Sequence, residues 1–319
     1  MELIFNELSV HGQFADLTTF RTAIGRVMGM RKVVQRFGRE LYCHRGLVNS
    51  QVLQDTTMPL AVQALDQNSR RVLMQWLTRH GPFWEDARAH GGDDYLDCFM
   101  YEDRIVTDTA VGEAAFCTLR GLRRGLVSLI PSSWQFSPVP VELHEDDAVR
   151  SIAVRNYWDA EELEADLKEA QPPLGTWRDL EVAARSRCRD LTFSVDSFES
   201  LRGHPFHEGA ADRILLRLIV LQEMRRCFDD RGERTADGHR LYQKHFTGAK
   251  AWFSDSSTSE KDDFENELTF PHPSVRGESL FCTWHGKVKW PQLRIHFSWP
   301  IRAAEPLYVV YVGPKITKR

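Results

Sequence analysis

The sequence predicts an α+β fold: an N-terminal mixed α/β region followed by helices packed on a C-terminal antiparallel sheet. Three observations predict it. Behind a strand-like run at Glu2 to Val10, the stretch from Leu17 to Phe37 sets Phe20, Ala23, Ile24, Val27 and Val34 at helical spacing. Ala211 to Phe228 is apolar over the length of a helix. The segments Ser279 to Val288, Leu293 to Trp299 and Leu307 to Val312 are extended in character and are punctuated by Gly286, Pro291, Pro300, Pro306 and Pro314, the signature of an antiparallel meander.

Taken in order, the strand from Glu2 turns at Gly12, and the helix from Leu17 stops at Gly38. Helices follow at Met58 to Leu65 and Ser69 to Leu77, the second ended by Gly81-Pro82. Gly91 to Asp94 reads as a loop, Arg104 to Thr109 as a strand, Gly112 to Leu122 as a helix, and Leu126 to Ile130 and Pro138 to Leu143 as extended segments. Asp159 is placed to cap a helix whose first turn holds Glu161 and Glu162, where the helix dipole favours acids. Pro172-Pro173 ends it, and Thr176 with Asp179 opens the next helix. Leu191 to Val195 is a short strand, and Ser257 with Glu260 has capping-box spacing before a helix near Ser259.

A chain of 319 residues favours two domains. Composition and punctuation assign residues 1–155 to a mixed α/β domain with a basic helix, and 156–319 to a helical segment plus the antiparallel meander. Lys plus Arg number 41 against 45 Asp plus Glu, so a uniformly basic nucleic-acid coat is excluded and any such role must rest on a local patch. Met1 to Glu7 has neither a basic nor a long apolar stretch, and no apolar run approaches a membrane span, so a cytoplasmic protein without membrane contact is expected. The six cysteines form no CxxC pair, which argues for reduced thiols. No Walker A or GxGxxG motif is present, and neither a cofactor nor a metal is expected.

Two cationic constellations stand out. Between Arg21 and Arg45 the basic residues outnumber Glu40, the single acid, and Arg21, Lys32, Arg36 and Arg39 fall within roughly 60° of arc opposite the apolar face. That is a stripe suited to phosphate, or a solvated face neutralised by acids such as those between Glu85 and Asp108. In the meander, alternation puts Arg294 and His296 on one face of the middle strand and His285 and Lys287 on one face of the first. Aligned, these four make a catalytic surface: cations hold a phosphodiester and an imidazole moves a proton. RNA can be cut this way without a metal, because its 2′-hydroxyl is the nucleophile. Lys315 and Lys318 extend the surface for binding.

The order of one strand, two helices and three antiparallel strands, with Arg294-Ile295-His296-Phe297 in the middle strand and Val309-Val310-Tyr311-Val312-Gly313-Pro314-Lys315 in the last, resembles the RelE/ParE-type toxin fold. That family comprises small bacterial proteins whose RelE-like members cut ribosome-bound mRNA with basic residues and whose ParE-like members inhibit gyrase. The resemblance covers Leu191 to Arg319, with residues 234–273 as an insertion and no counterpart to the N-terminal half. It implies functional cations at Arg294 and Lys315, and a toxin-like or antiviral-defence setting.

The sequence thus points to a nucleic-acid-interacting protein of bacterial type, a candidate nuclease with metal-independent RNase-like chemistry and a protein partner in a larger complex. The alternative is a non-catalytic scaffold or interaction subunit of a defence complex. Trp84, Trp134, Trp252 and Trp290, at loop positions, fit such an interface.

Overall fold

A computed structural model gives the structure of residues 2–86, 88–90, 97–145, 148–289 and 291–318. Helices and strands are both well represented, and the class is α+β. The chain divides into two compact units, Met1–Pro173 and Leu174–Arg319. The division falls at Pro173 rather than at 155, because residues 156–169 add a strand and a helix to the first unit. The expected loop at 91–94 lies outside the described residues.

Unit 1 runs β1 (Glu2–Phe5), α1 (Leu17–Arg36), β2 (Leu41–Tyr42), a small hairpin of β3 (Gln51–Leu53) and β4 (Thr56–Thr57), α2 (Met58–Gln63), α3 (Gln67–Gln75), β5 (Cys98–Tyr101), β6 (Arg104–Ile105), α4 (Ala110–Leu119), β7 (Arg124–Val127), β8 (Val139–Glu145), β9 (Ala148–Val154), β10 (Asn156–Tyr157) and α5 (Ala160–Glu169). Asp16 starts α1 by accepting from Thr19 N at 2.7 Å. Gly38 ends it at φ 67°, a left-handed conformation that glycine adopts without strain, with its N–H on Gln35 O at 3.0 Å. The five apolar residues read from the sequence, with Met30 and Val33, form the buried face. Each large side chain on it contributes roughly 1.5–3 kcal/mol.

In the first sheet the order is β10-β7-β1-β2, all parallel. Strand β1 is shorter than expected because the Asn6 side chain accepts from Leu8 N at 3.1 Å and turns Glu7–Ser9 into a 3-10 helix. Leu3, Phe5, Val127 and Tyr157 face the α1 core. The second sheet is antiparallel in the order β6-β5-β8-β9. Along β8, Val139, Val141 and Leu143 are buried while Pro140, Glu142 and His144 are exposed, the period of a one-sided sheet. Helix α4 touches strands of both sheets and is buried from Ala110 through Cys117. Its one buried acid, Glu113, meets Arg124 at 2.5 Å and accepts from Ala89 N and His90 N.

Unit 2 runs α6 (Trp177–Arg187), β11 (Leu191–Phe193), α7 (Glu208–Arg226), α8 (Ala236–Phe246), β12 (Phe253–Ser254), α9 (Thr258–Asp263), β13 (Thr269–Pro271), β14 (Ser279–Phe281), β15 (His285–Val288), β16 (Leu293–Phe297) and β17 (Leu307–Pro314). Its sheet has the order β11-β17-β16-β15-β12, with β11 parallel to β17 and the meander β15-β16-β17 antiparallel. Helix α7 packs on α6 and β15 and is buried almost all round. Arg217, which interrupts its apolar run, donates to Lys287 O at 2.6 Å and to Arg213 O at 2.9 Å, and lies 4.8 Å over the Trp252 ring. The expected single strand from Ser279 to Val288 is two: β14 pairs with β13, and the chain turns through Cys282–Trp284 before β15. The capping box at Ser257 and Glu260 is formed in both directions.

Candidate functional site

The meander brings the four candidate catalytic residues together. Register sets His285 opposite His296 and Lys287 opposite Arg294, so the side chains of each pair share a face. The two imidazoles lie 5.3 Å apart. On β17 the rows continue to Tyr311, opposite His296, and Gly313, opposite Arg294. The Tyr311 ring folds back over Gly313, where an added Cβ would come within 2.6 Å of the phenol oxygen, and its hydroxyl donates to Pro314 O at 2.8 Å.

The histidine row is not the solvent-facing reactive surface that the sequence suggests. His285 is 7% exposed and His296 1%. The Phe270 ring lies 5.8 Å from His296, and both imidazoles are tied to the turn before β15. His296 Nδ1 donates to Cys282 O at 3.0 Å, and His285 Nδ1 to Thr283 O at 3.3 Å. A carbonyl can only accept, so each ring carries its proton on Nδ1. Burial, then the Arg294 charge, pushes His285 down to about 4. Burial, then His285 itself, pushes His296 down to about 3. Both are therefore neutral at pH 7 and weak as bases.

The cation row is different. Lys287 and Arg294 are half-buried. Burial lowers the lysine, and Arg294, Lys289 and Arg217 lower it further. Arg294 is lowered by burial, with Glu260 acting the other way. Its Nη1 donates to Leu293 O at 2.9 Å, but its enclosed Nε has no partner. Among the described residues, no carboxylate pairs with either cation. Glu260, the acid that acts on Arg294, is committed elsewhere: it holds Lys315 at 2.8 Å and accepts from Thr317 at 2.8 Å. Although burial raises Glu260, Lys315, Thr317 and the Ser257 N–H bring it down to about 2. Lys315 is thus an ion-paired residue, while Lys318 is exposed.

The basic stripe on α1 is largely engaged within unit 1, which corrects its expected role as an open phosphate surface. Arg21 donates to Ala64 O at 3.0 Å, Arg36 pairs with Glu164 at 3.0 Å, and Arg39 is buried and donates to Gln171 O. Lys32 lines a groove with Arg21, Gly25, Asp66 and Asn68. Of the acids, Glu164 pairs with Arg36 of the stripe, Glu40 with the neighbouring Arg31, and Asp86, from the acidic stretch 85–108, with Arg45. The surface tryptophans of the scaffold alternative are also displaced. Trp84 and Trp134 are 2% and 5% exposed, the Trp252 ring lies 4.2 Å from that of His245, and Trp290 lies outside the described residues.

All six cysteines are free, and burial pushes the Cys282 thiol up to about 12. Among the described residues no helix is long and apolar enough to cross a membrane, and no three His, Cys, Asp or Glu side chains converge to hold a metal. Sequence reasoning overlooked Glu7, an acid just past β1, whose position becomes significant only once β1 is seen inside a parallel sheet. Comparison of the chain with protein-family models, curated proteins and solved structures gives no match.

Proposed function

We propose that unit 2 binds nucleic acid, with Lys287 and Arg294 as its phosphate contacts. The observation that carries this reading is the unpartnered cation row. Two half-buried positive groups face each other across adjacent strands, Arg294 lowering the proton affinity of Lys287, and among the described residues no carboxylate pairs with either. An anion between them would relieve the repulsion and supply the partner that Arg294 Nε lacks.

The chemistry open to such a surface is metal-independent cleavage of RNA. Lys287 and Arg294 would stabilise charge developing on the phosphate, and a bound phosphate would raise the proton affinity of His285. The enclosed imidazoles reach a substrate only if the segment carrying Phe270 moves aside.

Fluorescently labelled RNA and DNA, titrated across a salt series, test the reading. Log affinity should fall linearly with log salt, and K287A and R294A should each reduce the slope by about 0.7–0.9. Binding that is indifferent to salt, or to both substitutions, refutes it. H285A and H296A then separate binding from cleavage: loss of cleavage with binding retained assigns chemistry to the histidine row, and no cleavage by the native chain removes the nuclease reading.

A further inference from the structure

Between α9 and β15 the chain of unit 2 forms a hairpin that is separate from the main sheet. Strands β13 and β14 pair with each other, Thr269 with Phe281, Phe270 with Leu280 and Pro271 with Ser279, and with no other strand. The turn between them closes on itself. His272 N donates to Glu278 O at 2.9 Å, the His272 imidazole accepts at Nδ1 from Ser274 N and Val275 N at 3.0 Å each, and Gly277 bends the chain at φ 87°. Every residue from Ser274 to Ser279 is exposed. The base of the hairpin is the opposite. Leu268 and Cys282 are fully buried, Cys282 N donates to Leu268 O at 2.8 Å, and Cys282 O accepts from His296 on β16 at 3.0 Å.

Beyond that base, two half-buried rings seat the hairpin on the five-stranded sheet. Phe270 lies 5.8 Å from His296 and 6.0 Å from Tyr311, and His272 meets Tyr308 edge-on at 4.8 Å. Among the described residues, no hydrogen bond or ion pair ties residues 270–281 to that sheet. A segment with its own hydrogen bonds, a pinned base and little buried contact opens at a small fraction of the cost of global unfolding. Beneath it lies His296, 1% exposed. On the far side His285 is flanked by Ser256 Oγ at 3.5 Å instead. Raising the hairpin therefore uncovers His296 and Tyr311, the row beside Lys287 and Arg294.

We propose that the β13–β14 hairpin is a flap that swings as a unit about Leu268 and Cys282, and that in its closed position it shuts His296 and Tyr311 off from a nucleic acid held by Lys287 and Arg294. The gating role rests on the nucleic-acid reading of unit 2; the hinged motion does not. A ligand shifts such an equilibrium only through the state that it binds better. A strand whose phosphate sits between Lys287 and Arg294 gains contact with the adjoining row only when the flap is raised, so binding and opening favour each other. The free chain is then self-inhibited, and the seat of the inhibition is the Phe270 ring.

Amide exchange and histidine modification on the full chain test the motion without any nucleic acid. Peptides spanning 269–281 should exchange at least tenfold faster than those from β16. F270A should speed the hairpin by a further tenfold and leave β16 within twofold of native. It should also raise the rate at which diethyl pyrocarbonate modifies His296 by tenfold or more, since the covering ring is gone. Should F270A loosen β16 as well, H272A decides by the same two readings, because His272 touches the sheet at Tyr308 and not at the histidines. A hairpin that exchanges together with β16, or a His296 modification rate unchanged by these substitutions, overturns the flap. RNA cleavage then tests the gate: it should rise at least tenfold in F270A, and cleavage equal to native overturns the gating role. Faster modification of His296 with no cleavage by either chain supports the hinged flap and removes the nuclease reading, so the two failures are told apart.

Discussion

The buried histidine pair makes unit 2 sensitive to mild acid, and the size of the effect follows from the structure. In the unfolded chain each imidazole titrates near its usual 6.5, whereas in the fold His285 does so at about 4 and His296 at about 3. Below 6.5 the unfolded state therefore binds protons that the folded state refuses, so stability falls as pH falls. Each group withdraws about 1.4 kcal/mol per pH unit, so passing from pH 6.5 to 5 costs about 2 kcal/mol per histidine and roughly 4 for the pair. Glu260, held at about 2, contributes a loss only below its unfolded value of 4.5, outside this window. Unit 1 should respond with the opposite sign. Glu7 is raised to about 7, so its folded state gains protons first and is stabilised by roughly 2–3 kcal/mol between pH 7 and 5. The measurement is urea unfolding at pH 7, 6 and 5, read by amide exchange in peptides from β15–β17 and, separately, from β1 and α4. The reference is a double variant, His285→Asn with His296→Asn, which keeps a donor near each Nδ1 but cannot titrate. The native chain should lose stability relative to the variant by about 4 kcal/mol across the window. Equal pH slopes for native and variant chains would refute the claim that these imidazoles are held neutral by burial.

The cation row should cost stability, so Lys287→Met is expected to raise the urea midpoint of unit 2 while weakening nucleic-acid binding; a lower midpoint would mean that the lysine has a stabilising partner. Gly313→Ala should destabilise by about 1–3 kcal/mol, because its Cβ would sit 2.6 Å from the Tyr311 hydroxyl oxygen and 2.7 Å from Ser200 Cβ; an unchanged thermal midpoint would show that the ring moves freely.

What could be read from the sequence was what local spacing controls. The face of α1 follows from Phe20, Ala23, Ile24, Val27 and Val34 at helical period, and the burial found there is the one expected. Strand alternation likewise put His285 with Lys287 and Arg294 with His296, and the register of the two strands then joins the pairs on one face. What covers that face could not be read. Phe270 belongs to a stretch with the composition of a polar linker, and the carbonyls of Cys282 and Thr283 come from a turn hidden inside what looked like one strand. Exposure, and with it the charge state of both histidines, was therefore decided by contacts the pattern does not encode. The arginines of the basic stripe show the same limit from the other side: Arg36 lies on α1 as expected but Arg39 falls beyond the Gly38 stop, and their partners, Glu164 and Gln171, lie more than a hundred residues away. Glu7 was missed for this reason too, since the N–H it accepts from belongs to Ala110 and the acid acting on it is Glu85.

The two rows on the unit 2 sheet have different physical standing, and the difference bears on which of them meets a ligand. The histidine row is satisfied: each Nδ1 has its carbonyl, the rings are buried and neutral, and the Phe270 ring lies against His296. It behaves as interior. The cation row, one register step away, is left in a state that folding alone would not favour. Lys287, Arg294 and Arg217 all have lowered proton affinity, the carboxylate that could help is drawn off by Lys315 and Thr317, and an arginine nitrogen is enclosed without an acceptor. Half-buried cations without a counter-charge are costly, and Glu260, the acid that acts on Arg294, is held by Lys315 and Thr317 instead. An anion would supply the missing counter-charge, which is why the proposal for unit 2 rests on Lys287 and Arg294 and only secondarily on the imidazoles beside them.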